Sequence, residues 1–125
     1  MAGLLIDAHV LLWALAEPRR LSRRVHDDLS AGVIPAFVSS ASIWEIEIKR
    51  ALGKLKAPVD LLDAVSAARF APLAITFTHA SIAGALPRRH GDPFDRMLVA
   101  QAKCEDLTIV TRDPEIAAYD VPVLW

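Results

Sequence analysis

The fold is decided by an amino-terminal stretch, LLIDAHVLLWALA, at residues 4–16. Its first three residues, Leu4 to Ile6, form a short apolar run typical of a strand buried on both faces of a parallel sheet. Asp7 ends the run, and the good helix formers after it predict a buried helix to Ala16. The stretch therefore predicts a strand that leads directly into a helix, the repeating unit of an α/β fold.

The same alternation recurs along the rest of the chain. Residues 34–38 and 107–110 are further strand candidates, and each precedes a segment with helical character. Repeated strand-to-helix alternation predicts a parallel sheet with helices on both faces. The remaining predicted elements are an amphipathic helix at 21–31 closed by Gly32, helices at 42–52, 58–69, 78–86 and 93–105, a short helix after Pro114, extended segments at 72–76 and 121–124, and a loop at 87–92.

Length and composition fit one folded unit. With 125 residues, 54% of them hydrophobic and 23% charged, we expect residues 1–125 to form a single globular domain. The formal charge of -1 gives no overall attraction for nucleic acid, so such binding would depend on local patches. Cys104 is the only cysteine, which excludes an internal disulfide and favours a reducing cytoplasm. No stretch resembles a secretion signal or a membrane span.

Four acidic residues occupy junctions between predicted strands and helices. Asp7 follows the first strand, Glu45 lies in the first predicted turn of the helix after the second, and Asp113 follows the strand at 107–110. Asp95 lies in the first turn of the helix that begins at Pro93. Open α/β sheets bind ligands at the carboxyl ends of their strands, so these four side chains could converge.

Helix capping is an alternative explanation for each acid taken separately. Asp7 and Asp113 are in place to be N-caps, and Ser42 with Glu45 three residues later matches a capping box. Asp92 precedes Pro93 and so could cap the helix that contains Asp95. Sequence alone leaves both explanations open for the individual residues.

Energetics favour a cation if the four acids do converge. An N-cap contributes about 1 kcal/mol, whereas two carboxylates about 5 Å apart repel by roughly 3 kcal/mol at an effective dielectric constant of about 20. A converged cluster therefore implies a bound cation or raised pKa values. Oxygen ligands suit Mg²⁺ or Mn²⁺, and the scattered histidines and single cysteine offer no zinc pattern. Mg²⁺ held in this way can activate water and neutralise phosphate, as a phosphodiesterase requires.

Four segments of the chain stand in a characteristic order and spacing: LIDAHVLLW at 5–13, SIWEI at 42–46, HGDPFDR at 90–96 and TRD at 111–113. Together they resemble the PIN-domain nucleases, and in particular the VapC-type toxins of bacterial toxin-antitoxin pairs. The resemblance covers nearly the whole chain.

This resemblance implies a three-layer αβα fold with a parallel five-stranded sheet, and an Mg²⁺-dependent endoribonuclease (Mn²⁺ being the other candidate metal) that acts on structured RNA. It also implies a VapB-type antitoxin as partner and a homodimer. The chain departs from many relatives at Ala8, where they carry threonine, so a hydroxyl beside Asp7 is missing here. This difference affects the surroundings of the metal more than its ligands. The positions that match the family's acidic metal site are Asp7, Glu45, Asp95 and Asp113, with Thr111 as a supporting hydroxyl and Asp92 as a helix cap or further supporting acid.

Two other functions share some of these features. A receiver-like phosphoacceptor domain also places acids around Mg²⁺, but here no acidic pair follows the first strand and no lysine follows the last. A non-catalytic interaction module could keep the fold without cutting RNA. Basic residues at 19–24, 49–56 and 88–96 are candidates for phosphate contacts or for solvated surface, and we expect Trp13 and Trp44 to lie in the core.

Overall fold

The computed structural model describes residues 2–87 and 91–125. Arg88, Arg89 and His90, which belong to the predicted loop at 87–92, lie outside the described residues. The strands are β1 (Gly3–Ile6), β2 (Ala36–Ser39), β3 (Ala71–Leu73), β4 (Leu107–Val110) and β5 (Val123–Leu124). The helices are α1 (Ala8–Ala16), α2 (Arg23–Ala31), α3 (Ser40–Ala51), α4 (Leu61–Ala67), α5 (Phe77–Ala85), α6 (Pro93–Glu105) and α7 (Pro114–Ala117), with a 3-10 turn at Pro18–Arg20.

The five strands form one parallel sheet in the order β3-β2-β1-β4-β5, as the fold prediction required. The chain builds outward from β1 to β2 and β3, and then crosses to the other side of β1 to add β4 and β5. The order of the strands therefore reverses between β1 and β4. Ligands of open α/β sheets bind at such a reversal, beyond the carboxyl ends of the strands.

Two apolar cores cover the two faces of this sheet. Leu4 and Ile6 of β1 pack in one core with residues of α1 to α4, while Leu5 packs in the other with residues of α6 and α7. Alternate side chains of a strand point to opposite faces, so a strand buried on both sides must be apolar throughout. The observed layers confirm the predicted αβα arrangement. In the described parts of the chain, no helix combines the length and apolar character needed to cross a membrane.

The starts of α2, α3 and α4 differ from the prediction. Helix α2 begins at Arg23 and not at Leu21, because Ser22 is its N-cap. Helix α3 begins at Ser40, because Ser39 is its N-cap and accepts the backbone N–H of Ala41 at 3.0 Å. Helix α4 begins at Leu61 and not near Pro58. The Arg50 guanidinium donates to the carbonyls of Ala57 and Pro58 at 3.0 and 2.7 Å, and these contacts hold that segment outside the helix.

Candidate active site

Asp7 and Asp113 meet at the reversal of the strand order, where β1 and β4 end. Asp7 caps α1 by accepting the Val10 N–H at 2.8 Å, and Asp113 caps α7 by accepting the Glu115 N–H at 2.9 Å. Thr111 joins the two acids. Its hydroxyl donates to the Asp7 carboxylate and accepts the backbone N–H of Asp113 at 3.0 Å. Capping thus places these acids, and the sheet brings them together.

The Asp7 carboxyl group is in an electrostatically unfavourable position. Only 6% of the residue is exposed, and burial raises its pKa above the ordinary value because the charged form loses hydration. The nearby Asp113 charge raises this pKa further, whereas the hydrogen bonds from Thr111 and Val10 and the proximity of His9 lower it in part. The chain therefore keeps an acid here at a cost in electrostatic energy.

The other predicted acids surround Lys49. Its ammonium group donates to the Glu45 carboxylate at 2.7 Å, and this hydrogen bond, with the charges of Glu45, Asp92 and Asp95, raises the Lys49 pKa. Asp92 caps α6 by accepting the backbone N–H groups of Phe94 and Asp95 at 2.9 and 3.2 Å, as predicted. From the sequence, Lys49 is predicted only as one of the possible phosphate contacts at 49–56. Because Lys49 follows Glu45 by four residues on one predicted helix, the spacing alone could have indicated this ion pair.

Glu45 itself differs from its predicted setting. The capping box of Ser42 and Glu45 is wrong, because α3 starts earlier and Glu45 lies in its second turn. Glu45 is only 6% exposed, and the Ser42 hydroxyl one turn before it is a buried polar atom without a partner among the described residues. The four acids Asp7, Glu45, Asp95 and Asp113 are called the acid edge below. They border the same end of the sheet, and their role as metal ligands stays a prediction.

A second polar group, called the histidine cluster below, lies between α5 and α6 and comprises His79, Gln101 and Glu105. His79 Nδ1 accepts the Thr76 N–H at 3.1 Å, and its Nε2 donates to Glu105 at 2.9 Å. This hydrogen bond lowers the pKa of Glu105. The ligand atoms of His79, Cys104 and Glu105 all lie within 4.8 Å of one another, a spacing not found for any three acid-edge carboxylates among the described residues.

Hydrogen bonding speaks against a metal at this second group. To bind a metal through Nε2, His79 would have to carry its proton on Nδ1, which already accepts the N–H of the helix cap. His79 and Thr76 form a reciprocal capping box at the start of α5. Helix capping and the His79–Glu105 pair therefore account for both ring nitrogens of His79, while the buried Oε1 of Gln101 has no partner among the described residues.

The two tryptophans predicted to be core residues differ in burial. Trp13 is buried, whereas Trp44 is 62% exposed and contacts Phe94 edge-on, so the core prediction for Trp44 is wrong. It lies on the outer face of α3, at a helical spacing of four from the exposed Ile48. Trp13 is covered by the guanidinium groups of Arg20 and Arg112, whose central carbons lie 4.7 and 4.6 Å from its ring centroid.

Comparisons with known proteins agree with this architecture. The chain is 32% identical to Ribonuclease VapC22 of Mycobacterium tuberculosis over 98% of its own length and 95% of that protein's. Its fold is similar to DNA-bound VapBC from Salmonella typhimurium (TM-score 0.71, 17% identity, 99% and 98% of the two chains) and to VapBC2 from Rickettsia felis (TM-score 0.72, 12% identity, 97% and 96%). The PIN domain profile matches residues 4–122. The chain therefore belongs to the PIN-domain family.

Proposed function

We propose that this protein is a metal-dependent endoribonuclease and the toxin of a VapC-type toxin-antitoxin pair. The observation that carries the proposal is the pairing of Asp7 with Asp113 through Thr111 at the reversal of the strand order. Glu45 and Asp95 border the same end of the sheet. The 32% identity to a ribonuclease of the VapC type supports RNA as the substrate.

The residues present fit a divalent cation. Burial and the Asp113 charge raise the pKa of Asp7, so the site gains from a positive charge beside that carboxylate. The donor set of Asp7, Glu45, Asp95 and Asp113 offers oxygen atoms only, which suits Mg²⁺ or Mn²⁺. The partnerless Ser42 hydroxyl adds an oxygen next to Glu45 that nothing in the described fold uses.

A bound Mg²⁺ or Mn²⁺ would supply positive charge to the phosphodiester and lower the pKa of water. The four acids would hold the ion, and Thr111 keeps Asp7 and Asp113 at a fixed spacing. In the hydrolysis, water attacks phosphorus and the bond to the 3′-oxygen breaks. That oxygen leaves with a proton, so the products are a 5′-phosphate and a 3′-hydroxyl.

We further propose a VapB-type antitoxin as the partner that silences the enzyme, by placing a basic side chain among these acids. Lys49 already shows that Glu45 accepts a cationic side chain at 2.7 Å. An arginine would engage a carboxylate in two hydrogen bonds and compete with the metal. The single PIN domain at 1–125, the homodimer and the cytoplasmic location belong to the same proposal.

Incubation of the purified protein with total RNA tests this function. We expect cleavage with Mg²⁺ or Mn²⁺ and none with EDTA, and 5′-phosphate ends on the fragments. Asp113→Asn should abolish cutting, whereas Asp120→Asn, a change of an exposed aspartate outside the acid edge, should not. Cyclic phosphate ends would contradict the hydrolytic route. Calorimetry that finds no binding of Mg²⁺ or Mn²⁺, together with no cleavage, would favour the non-catalytic interaction module. Phosphoryl transfer from acetyl phosphate without nuclease activity would favour the receiver-like domain.

Expression in cells tests the toxin-antitoxin part separately. Growth should stop when the protein is produced alone, and resume when the small open reading frame beside its gene is co-expressed. The two products should also purify together. No growth arrest, or no rescue by the neighbour, would remove the antitoxin proposal and leave the nuclease chemistry standing.

A further inference from the structure

A pocket of about 270 Å³ opens beside the Asp7–Asp113 pair. Its lining includes both acids, His9 and Trp13 from the first turns of α1, and Arg112 from the end of β4. Carboxylates, a guanidinium group and aromatic rings therefore share one small open cavity. Metal binding accounts for the acids alone, and the other three side chains call for a different explanation.

The charge of Arg112 is not matched by a carboxylate. Its guanidinium carbon lies 4.6 Å from the Trp13 ring centroid and 5.9 Å from that of Trp125, and the residue is exposed. Within residues 2–87 and 91–125, its side chain makes no hydrogen bond or ion pair, although Asp113 is its neighbour in sequence. Contacts with aromatic rings orient the group without using its N–H donors, which stay available for an oxyanion.

His9 completes the pocket on the same helix. It is exposed, lies one turn before Trp13, and its ring centroid is 6.4 Å from the Trp13 ring at an angle of 47°. An exposed imidazole beside a fixed indole can stack on a nucleobase, as aromatic side chains do in proteins that bind single-stranded RNA. Trp13 itself is held in place by Arg20, Arg112 and Trp125.

We propose that this pocket binds one unpaired nucleotide of the RNA substrate next to the phosphate that is cut. Arg112 holds the phosphate of that nucleotide, and His9 stacks on its base. The inference rests on the proposed ribonuclease function and adds to it where the substrate lies. It also makes Arg112 and His9 binding residues of the site, separate from the acids that hold metal.

The size and position of the pocket favour an unpaired nucleotide over a duplex. A cavity of about 270 Å³ is near the lower end of ligand pockets, which run from about 300 to 1,000 Å³, and suits one nucleotide better than two. A base held in a helix cannot enter such a cavity without leaving its stack. The enzyme should therefore select loops or single-stranded segments of a structured RNA.

Binding of a short, labelled single-stranded RNA of randomised sequence, followed by fluorescence anisotropy, tests the proposal. The measurement uses the full chain with Asp95→Asn, so that the probe is not cut. Arg112→Gln should weaken binding by about 10-fold and reduce the slope of log Kd against log salt by about 0.7, the value for one lost phosphate contact on a single strand. A blunt RNA duplex should bind at least about 10-fold more weakly than the single strand.

Arg20→Gln is the matched control. Arg20 also lies against Trp13, but it is outside the pocket and has an ion pair with Glu17 at 3.8 Å. If Arg112 served only to support Trp13, Arg112→Gln and Arg20→Gln would lose affinity alike, and the salt slope would not change. An equal loss of affinity in the two variants, or an unchanged salt slope in Arg112→Gln, would overturn the assignment. Equal binding of the duplex and the single strand would overturn it too.

His9→Ala gives a second test that leaves the contacts of Trp13 with Arg20, Arg112 and Trp125 in place. The residue is exposed and its removal should leave thermal stability unchanged, yet it should weaken single-strand binding by about 3- to 10-fold with the salt slope intact. Unaltered binding would remove His9 from the proposal. Because these assays measure binding alone, their failure is distinct from a failure of the wild-type protein to cut RNA.

Discussion

The acid edge and the histidine cluster both contain a buried ionisable side chain, Asp7 in the first and His79 in the second. The two differ in how well the surrounding groups match that side chain. His79 has both ring nitrogens paired, one with the helix cap and one with Glu105. Asp7 instead lies near a second carboxylate, and its pKa is raised by burial. A buried group with matched partners serves the fold, whereas one kept at an electrostatic cost indicates a site that a ligand completes.

The largest effect should come from breaking the acid edge. Asp95→Asn should lower RNA cleavage by at least about 100-fold, since even outer-shell partners of a metal are worth 10- to 100-fold. Asp63→Asn is the matched control, because Asp63 is also the third residue of its helix but lies at the start of α4. Both asparagines keep similar helix starts. Equal activity of the two variants would show that Asp95 has no part in the chemistry.

In the histidine cluster, the corresponding change should cost stability and not activity. His79→Leu leaves the Thr76 N–H without its acceptor and removes the partner of Glu105, so the free energy of unfolding should fall by about 2 to 3 kcal/mol. Chemical denaturation measures this. His26→Leu, at a half-exposed histidine on α2, should change stability by less than about 0.5 kcal/mol. A loss of cleavage in folded His79→Leu protein would contradict the structural role.

Lys49 partly neutralises the acid edge through its contact with Glu45. Lys49→Met should raise the affinity for Mg²⁺ or Mn²⁺ by about 5-fold, which corresponds to the roughly 1 kcal/mol that one unit charge exerts on another across about 4 Å of water. Calorimetric titration measures the affinity. The metal-free protein should at the same time unfold more easily. Lys54→Met, which removes an exposed cation beyond the end of α3, should change neither quantity, and weaker metal binding by Lys49→Met would argue against the proposed site.

The smallest effect is a pH dependence at Asp7. The folded state holds the Asp7 proton more tightly than the unfolded chain, so this group stabilises the fold at low pH and the contribution is lost as pH rises through its raised pKa. Asp7→Asn, which still caps α1, should therefore stabilise the metal-free protein at neutral pH, on the order of 1 kcal/mol. Its advantage over wild type should shrink as pH falls toward 4. An advantage that is constant with pH would exclude the electrostatic explanation.

The helix ends show how far local pattern predicts this chain. Asp7, Asp92 and Asp113 all cap helices as predicted, because capping depends on the first turn alone. The predicted capping box of Ser42 and Glu45 is wrong, because Ser39 caps the helix three residues earlier, at the point where β2 ends. Trp44 was misplaced because an apolar residue in an amphipathic helix does not show in sequence which face is covered.

Local sequence pattern is enough to predict the alternation of strands and helices and the placing of the four acids near helix starts, since these depend on neighbours a few residues away. The parallel sheet follows from that alternation. The tertiary structure decided what lies beside what. Only the packing of β1 against β4 brings Thr111 between Asp7 and Asp113, and only the meeting of α1 with the end of β4 places Arg112 on Trp13. Such contacts join residues about a hundred positions apart, and they depend on the strand order, which short-range periodicity does not encode.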